Sequence, residues 1–317
     1  MRGSIHASAT SSRSAALLEP AASVTRVELS RLLRSGSGRA GLLLLCGLLA
    51  GTVLASRIAP ADPFASVGRA LSPPTLAHPM GTDDLGRDLL AGVAHGTRTS
   101  LVVALTVTLL AAAIGIPLGA IAAWRGRLVD DALMRVTEFI QVVPRFFLAV
   151  MVIALFGPGL DRLIVLLGLT SWPVIARVAR AEVLSLKERE FAEAARALGA
   201  RPLRILFRVL LPNALPAVVV VASLNAATAI LLEAGLSFLG LGDPDVVSLG
   251  YLANNAQGFL RVAWWMAAFP GAAIAAAVLG LNLLGDGVND ALNPRGPSGG
   301  HDGTQDIAQG GGTWQSS

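Results

Sequence analysis

The sequence predicts an all-α, polytopic membrane protein with six transmembrane helices, and three observations carry that prediction. The 317-residue chain is 53% hydrophobic and 15% charged, with a mean hydropathy of +0.63, a balance that soluble domains rarely show. Six apolar segments approach or reach the roughly 20 residues that a helix needs to cross a bilayer: 40–58, 97–123, 132–156, 160–179, 213–235 and 263–285. Lys and Arg are spread unevenly over the stretches that join these segments.

Taken in order, residues 1–25 are rich in Ser and Ala without periodicity, the composition of disorder. Residues 26–39 interleave Arg26, Arg31, Arg34 and Arg39 with Val27, Leu29, Leu32 and Leu33, the pattern of a short basic helix on a membrane surface. These make up an N-terminal segment, 1–39, followed by a first transmembrane helix over 40–58. That helix is too long, and too far from the N-terminus, to be a cleavable signal peptide. Residues 59–96 form a segment on the outer side. Within it Thr82 is expected to cap a helix whose first turn holds Asp83 and Asp84, with Arg87 and Asp88 following. Residues 97–295 form a core domain of five transmembrane helices. Its third apolar run, 160–179, is interrupted by Ser171, Trp172 and Pro173 and is the weakest of the set. The Gly- and Ser-rich tail 296–317 is expected to be unstructured.

With the N-terminus placed in the cytoplasm, eighteen Lys and Arg fall inside and five outside. That bias orients the chain with both termini cytoplasmic. The net charge of +4 and pI near 10.4 do not indicate nucleic acid. Lys187 is the only lysine, and the arginines sit in short loops rather than on one face with aromatics. Cys46 is the single cysteine, so no intramolecular disulfide forms. The four histidines show no ligand spacing, and no metal site is expected.

The charged stretch "EREFAEAARALGARPLRILFRVLLPNALP" (188–216), placed in the cytoplasm by the Lys and Arg count, has helical periodicity. Phe191, Ala194, Ala195 and Leu198 fall on one face, with Glu188, Arg189, Glu193 and Arg196 elsewhere. Gly199 permits a sharp turn, and Pro202 suits the first turn of a second helix. In that helix Arg201, Arg204 and Arg208 share a face, as do Leu203, Leu206 or Phe207, and Leu210. Two short helices about a glycine, with small residues on one face and charges beside them, have the makings of a docking element.

The spacing Glu193-Ala194-Ala195, three residues, Gly199, nine residues, Val209, one residue, Leu211-Pro212 resembles the EAA signature of permease subunits of ATP-binding-cassette importers. Val209 departs from it, isoleucine being usual there. "HPMGTDDLGRDLLAGVAHGTRTSL" (78–101), "ILLEAGLSFLGLGDP" (230–244) and "LNLLGDGVNDALNPR" (281–295) resemble the dipeptide, oligopeptide and nickel importer permeases, of the type with an outer GTDxxGRD segment after the first span. The resemblance covers about 26–295. It implies the type I importer permease (MetI-like) fold in a bacterial inner membrane, with a coupling helix that docks on a cytoplasmic ATPase. Glu193 would make the ionic contact and Gly199 the turn, with Ala194, Ala195, Leu211 and Pro212 completing the element. The implied partners are a second permease subunit (a heterodimer), two ATPase subunits, a periplasmic or lipoprotein solute-binding protein and the lipid bilayer. No cofactor belongs to the chain itself. Its only lysine, in "LKER", is preceded by no glycine-rich loop, so ATP would be bound by partners.

Within the apolar segments, ionisable residues mark a path or a partner. Glu138, Gln141 and Arg145 lie at i, i+3 and i+7, about 10 Å from first to last along a straight helix, with Pro144 expected to kink it. They are candidates for a polar stripe on the translocation path. Snorkelling of Arg145 to the outer surface is the competing reading. Glu233, near the outer end of the fifth span, is a further candidate, for pairing with an arginine of a neighbouring helix or for an outer gate. Peptides are the expected cargo, with nickel or another small solute as the alternative. A secondary transporter would require internal repeats, and a membrane enzyme would require a catalytic set. The sequence shows neither.

Overall fold

The computed structural model describes residues 32–58 and 62–292. The expected disorder of 1–25 and 296–317, and residues 26–31 of the expected basic helix, lie outside them. Helix α1 (Gly36–Ile58) begins after Ser35, whose hydroxyl accepts from Gly38 N at 3.1 Å. Residues 36–39 are therefore the first turn of α1 and not part of a surface helix. There follow α2 (Leu89–Arg125), α3 (Arg127–Val142), α4 (Arg145–Phe156), α5 (Leu160–Leu186), α6 (Glu190–Ala197), α7 (Pro202–Ile205), α8 (Leu211–Phe238), α9 (Leu249–Ala256) and α10 (Trp265–Leu292). The described residues contain no strand, only two isolated bridges.

Five of these are long and apolar enough to cross a membrane: α1, α2, α5, the run Pro202–Phe238 and α10. Helices α3 and α4 qualify only together, across a bend of 70°. Their ends show that the pair crosses. Asp130, in the first turn of α3, pairs with Arg180 near the C-terminal end of α5, whereas α4 leads directly into the N-terminus of α5. The all-α fold of six spans is thus as expected, with 132–156 a broken span. The break lies where Pro144 has no N–H to donate and holds Val143 extended, at φ −80° and ψ 121°.

The segment before α2 departs from expectation. No helix forms over 82–88, because Gly81 and Gly86 take φ of +78° and +74° and fold the chain back on itself. A Cβ on Gly86 would lie 2.3 Å from the Gly68 carbonyl oxygen. The Thr82 hydroxyl accepts from Ser72 N and donates to the Arg69 carbonyl, and one Asp83 oxygen accepts from both Leu85 N and Arg87 N. Burial pushes the Asp83 carboxyl above the usual carboxylate range, against the pull of those two N–H groups. The helix cap belongs to Asp88, which accepts from Ala91 N at 3.0 Å and opens α2 eight residues before position 97. Asp88 also meets His78 Nδ1 at 2.7 Å. Asp88→Ala should therefore cost about 1 kcal/mol and lower the Tm in detergent by roughly 2–4 °C. Asp88→Asn, which keeps an acceptor for Ala91, should lose less. Equal losses in thermal scans of the two variants would rule out the cap.

Small residues set the helix crossings, as expected where helices pack by close backbone approach. A Cβ on Gly115 would lie 2.7 Å from the Trp172 carbonyl oxygen, and one on Gly119 2.2 Å from that of Ala176, so α2 and α5 touch main chain to main chain. The same holds between α1 and α10 at Gly41 and Gly287, and between α9 and α8 at Gly250. At the end of the bundle holding residues 187–210, called here the polar-loop end, Ala120, Ala123, Val183, Ala192, Ile205, Leu206, Leu210 and Ala214 form one apolar core. At the opposite end Leu89, Val93, Leu249, Leu252, Trp265 and Met266 form another. There Trp265 Nε1 donates to the Thr82 carbonyl at 3.1 Å, tying the glycine-turned loop to α10.

Candidate coupling loop and polar groups within the spans

After α5 the chain turns at Lys187, whose Nζ donates to the Ala123 carbonyl at 3.2 Å and so closes the last turn of α2. Arg196 returns a bond to the Lys187 carbonyl at 3.1 Å. Helix α6 is anchored by Ala192, fully buried against Ala120, Ala123 and Val183, with Ala195 half-buried beside it. Ala192 thereby seats α6 in a core that the ends of α2 and α5 share with α7 and with Leu206 and Leu210.

The sequence groups Phe191, Ala194, Ala195 and Leu198 as one apolar face. In the structure the anchoring pair is instead Ala192 and Ala195, three residues apart, while Phe191, Ala194 and Leu198 point outward and Leu198 is 81% exposed. Glu193 is exposed with them. Gly199 takes φ +75° with open space around it, and Ala200 N closes the turn on the Ala195 carbonyl at 3.1 Å. Pro202 opens α7 as its position suggests.

The second helix splits its expected apolar face. Leu206 and Leu210 are buried, whereas Leu203 and Phe207 are exposed alongside Arg201, Arg204 and Arg208. The cause is a π-turn over Leu206–Leu210, in which Leu211 N–H reaches the Leu206 carbonyl. Pro212 cannot donate to the carbonyl four residues earlier, so the turn widens by a residue and rotates the start of α8. Asn213 Nδ2 donates to the Val209 carbonyl at 2.6 Å. Leu211 and Pro212 form the first turn of α8. The exposed side of the loop is thus a continuous mix of apolar and basic side chains around Glu193 and Gly199.

The candidate path residues do not form one stripe. Glu138 and Gln141 lie on α3, the first exposed and the second half-buried, and the 70° bend separates them from Arg145 on α4. The Arg145 guanidinium donates instead to Ser171 Oγ on α5, at 3.3 Å. Glu233 is 1% exposed and meets no arginine. Its oxygens accept from Ser237 at 2.8 Å and from Ser100 of α2 at 3.2 Å, and the hydroxyl of Ser248, which caps α9, reaches it as well. In place of the expected pairing with an arginine, three serine hydroxyls satisfy the carboxyl.

Sequence reasoning did not single out Ala192, Asp130, Arg180, Ser100, Ser237 or Ser248. The serines carried a usable signal: hydroxyls on apolar helices at the level of a buried carboxyl. Asp130 and Arg180 are 50 residues apart in the chain and gave none.

A model of the family described as "binding-protein-dependent transport system inner membrane component" matches residues 115–296. A peptide transport system permease protein of Brucella suis biovar 1 is 42% identical over 267 residues, covering 84% of this chain and 90% of that protein. A peptide permease of the same organism is 39% identical over 299 residues, covering 93% and 99%. The dipeptide transport system permease protein DppC of Alkalihalophilus pseudofirmus is 38% identical over 226 residues, covering 71% and 74%. Among solved structures, an inward-facing MetNI methionine ABC transporter chain is similar in fold, with a TM-score of 0.55 at 23% identity, covering 65% of this chain and 98% of that one. With the membrane-spanning helical fold, these matches establish that the chain belongs to the binding-protein-dependent transport system inner membrane component family, the permease subunits of ATP-binding-cassette importers.

Proposed function

We propose that the chain is one of two permease subunits that together enclose a translocation path for peptides, and that α6 couples it to a cytoplasmic ATPase. The observation that carries this reading is the shape of α6: one buried methyl, Ala192, fixes it to the bundle while Glu193, Ala194, Phe191 and Leu198 remain exposed. A helix held on one side and free on the other transmits force once a partner closes over it. The names of the relatives support peptides as cargo. The eighteen-to-five distribution of Lys and Arg supports a cytoplasmic polar-loop end in a bacterial inner membrane, with both termini on that side. ATP binds the partner, and a solute-binding protein delivers cargo to the opposite face.

The test is co-purification of the chain with its ATPase. Wild type should retain the ATPase in detergent, and Glu193→Arg should release it. Retention by the variant at wild-type stoichiometry refutes the docking role.

Arg145 belongs to this reading as the charged group that α4 presents at the bend. Its single hydroxyl partner leaves guanidinium donors for a peptide carboxylate. Loss of such a charge-assisted bond costs about 1.5–3 kcal/mol, so Arg145→Gln should lower peptide uptake about tenfold or more with the complex still assembled. Undiminished uptake would remove Arg145 from the path.

A further inference from the structure

Helices α3 and α4 bury few of their side chains. The only buried residue of α3 is Thr137, and those of α4 are Ala149 and Ile153. By contrast α2 and α5 bury side chains along most of their length. The arm formed by α3 and α4 is gripped by α5 at two heights through side-chain polar contacts. At the polar-loop end the Arg180 guanidinium makes a two-pronged ion pair with Asp130, through Nε to one oxygen and Nη2 to the other. At the bend Arg145 makes its single bond to Ser171. A forked ion pair is the stronger and more directional of the two.

The residues around Arg180 connect it to the docking loop. Gly119 of α2 lies against Ala176 and Arg180 N on α5, main chain to main chain. Lys187 closes α2 seven residues beyond Arg180, and Ala192 seats α6 on Ala123 and Val183. The ends of α5 and α2 thus pack as one unit with α6 tied to it through Lys187 and Ala192, and the first turn of α3 is held to that unit by the one-residue link Gly126 and by the Asp130 ion pair. Motion of that unit carries the first turn of α3 with it. The mismatch is taken up at Val143–Pro144, where the helical hydrogen bonds are already broken.

We propose that Asp130 and Arg180 form the joint through which displacement of α6 reaches the α3–α4 arm, both acting as positioning residues. The pair joins α3 to α5 and includes no residue of α6, so breaking it removes nothing from the exposed side of α6. Its loss should separate ATP hydrolysis from transport rather than abolish both.

The inference rests on the importer reading, and the complete importer in proteoliposomes with its binding protein separates the two. If the importer reading fails, wild type itself shows no ATP-driven uptake. If wild type transports, the joint is tested by solute imported per ATP hydrolysed. Asp130→Asn and Arg180→Gln should each lower that ratio about fivefold or more, the low end of common coupling effects, with hydrolysis itself held within about twofold. The exchange Asp130→Arg with Arg180→Asp should restore at least about half of the ratio, because the fork is rebuilt in reverse. Single variants that keep the wild-type ratio, or an exchange no better than the singles, overturn the joint. If the single variants fail to assemble, Arg180→Lys, which keeps the charge and loses the fork, carries the test. An intermediate ratio supports the joint and a wild-type ratio overturns it.

Discussion

Gly119→Val is expected to leave little folded protein. Its Cβ would stand 2.2 Å from the Ala176 carbonyl oxygen and 3.0 Å from Arg180 N. Both obstacles are main chain, so no side-chain rotation relieves them, and α2 must draw away from α5. That separation opens the core holding Ala120, Ala123, Val183 and Ala192, and with it the seat of α6. Overpacking costs about 1–3 kcal/mol in ordinary cores, occasionally more, and a backbone clash belongs at the upper end. The Tm in detergent should fall by roughly 10 °C, with a matching loss of monodisperse yield. Gly47→Ala is the control: nothing lies within 4 Å of that Cβ, so its Tm should match wild type. A Gly119→Val protein as stable as the Gly47→Ala control would contradict the close crossing.

Gly199→Trp and Glu193→Arg should abolish ATP-driven uptake without unfolding the bundle. At φ +75° a side chain at 199 is strained by about 1–2 kcal/mol, a local cost in an exposed turn. An indole there covers the surface beside Glu193, and the strain favours a different exit angle from α6. Glu193→Arg places a like charge among Arg196, Arg201 and Arg204, and reverses the contact offered to the ATPase. Mismatched interfacial charge reduces affinity by about tenfold or more. Glu193→Arg should keep the wild-type Tm and Gly199→Trp should lower it only by roughly 2–8 °C, while uptake falls to background in both. Normal uptake by both would refute the coupling role, and a larger loss of Tm in step with uptake would show a fold defect instead.

The spans were legible because apolar length is a property of the sequence itself, and Pro144 announced its own break. The turn at Gly199 and the start at Pro202 followed from backbone chemistry local to each residue. The inward face of α6 did not, because Ala192 and Ala194 are chemically alike and only the partner helices decide which is buried. Over 82–88, three polar residues after a glycine mimic a helix start. Gly81 and Gly86 override that signal because both take left-handed backbone angles and fold the loop against Trp265. Glu233 was rightly marked as a charge at depth, but its serine partners come from three separate stretches. The glycines at 115 and 119 looked like ordinary members of an apolar run, since close approach depends on what lies opposite them.

The run Pro202–Phe238 is continuous over 37 residues through its π-turn. At 1.5 Å per residue it is about 55 Å long, against a hydrocarbon thickness of about 30 Å. It is therefore a lever longer than the barrier it crosses, with one tip in the loop that follows α6 and Glu233 near the other. A tilt of about 10° about its middle moves each tip by about 5 Å in opposite senses. Closing one face of the bundle and opening the other are, for this helix, a single rotation.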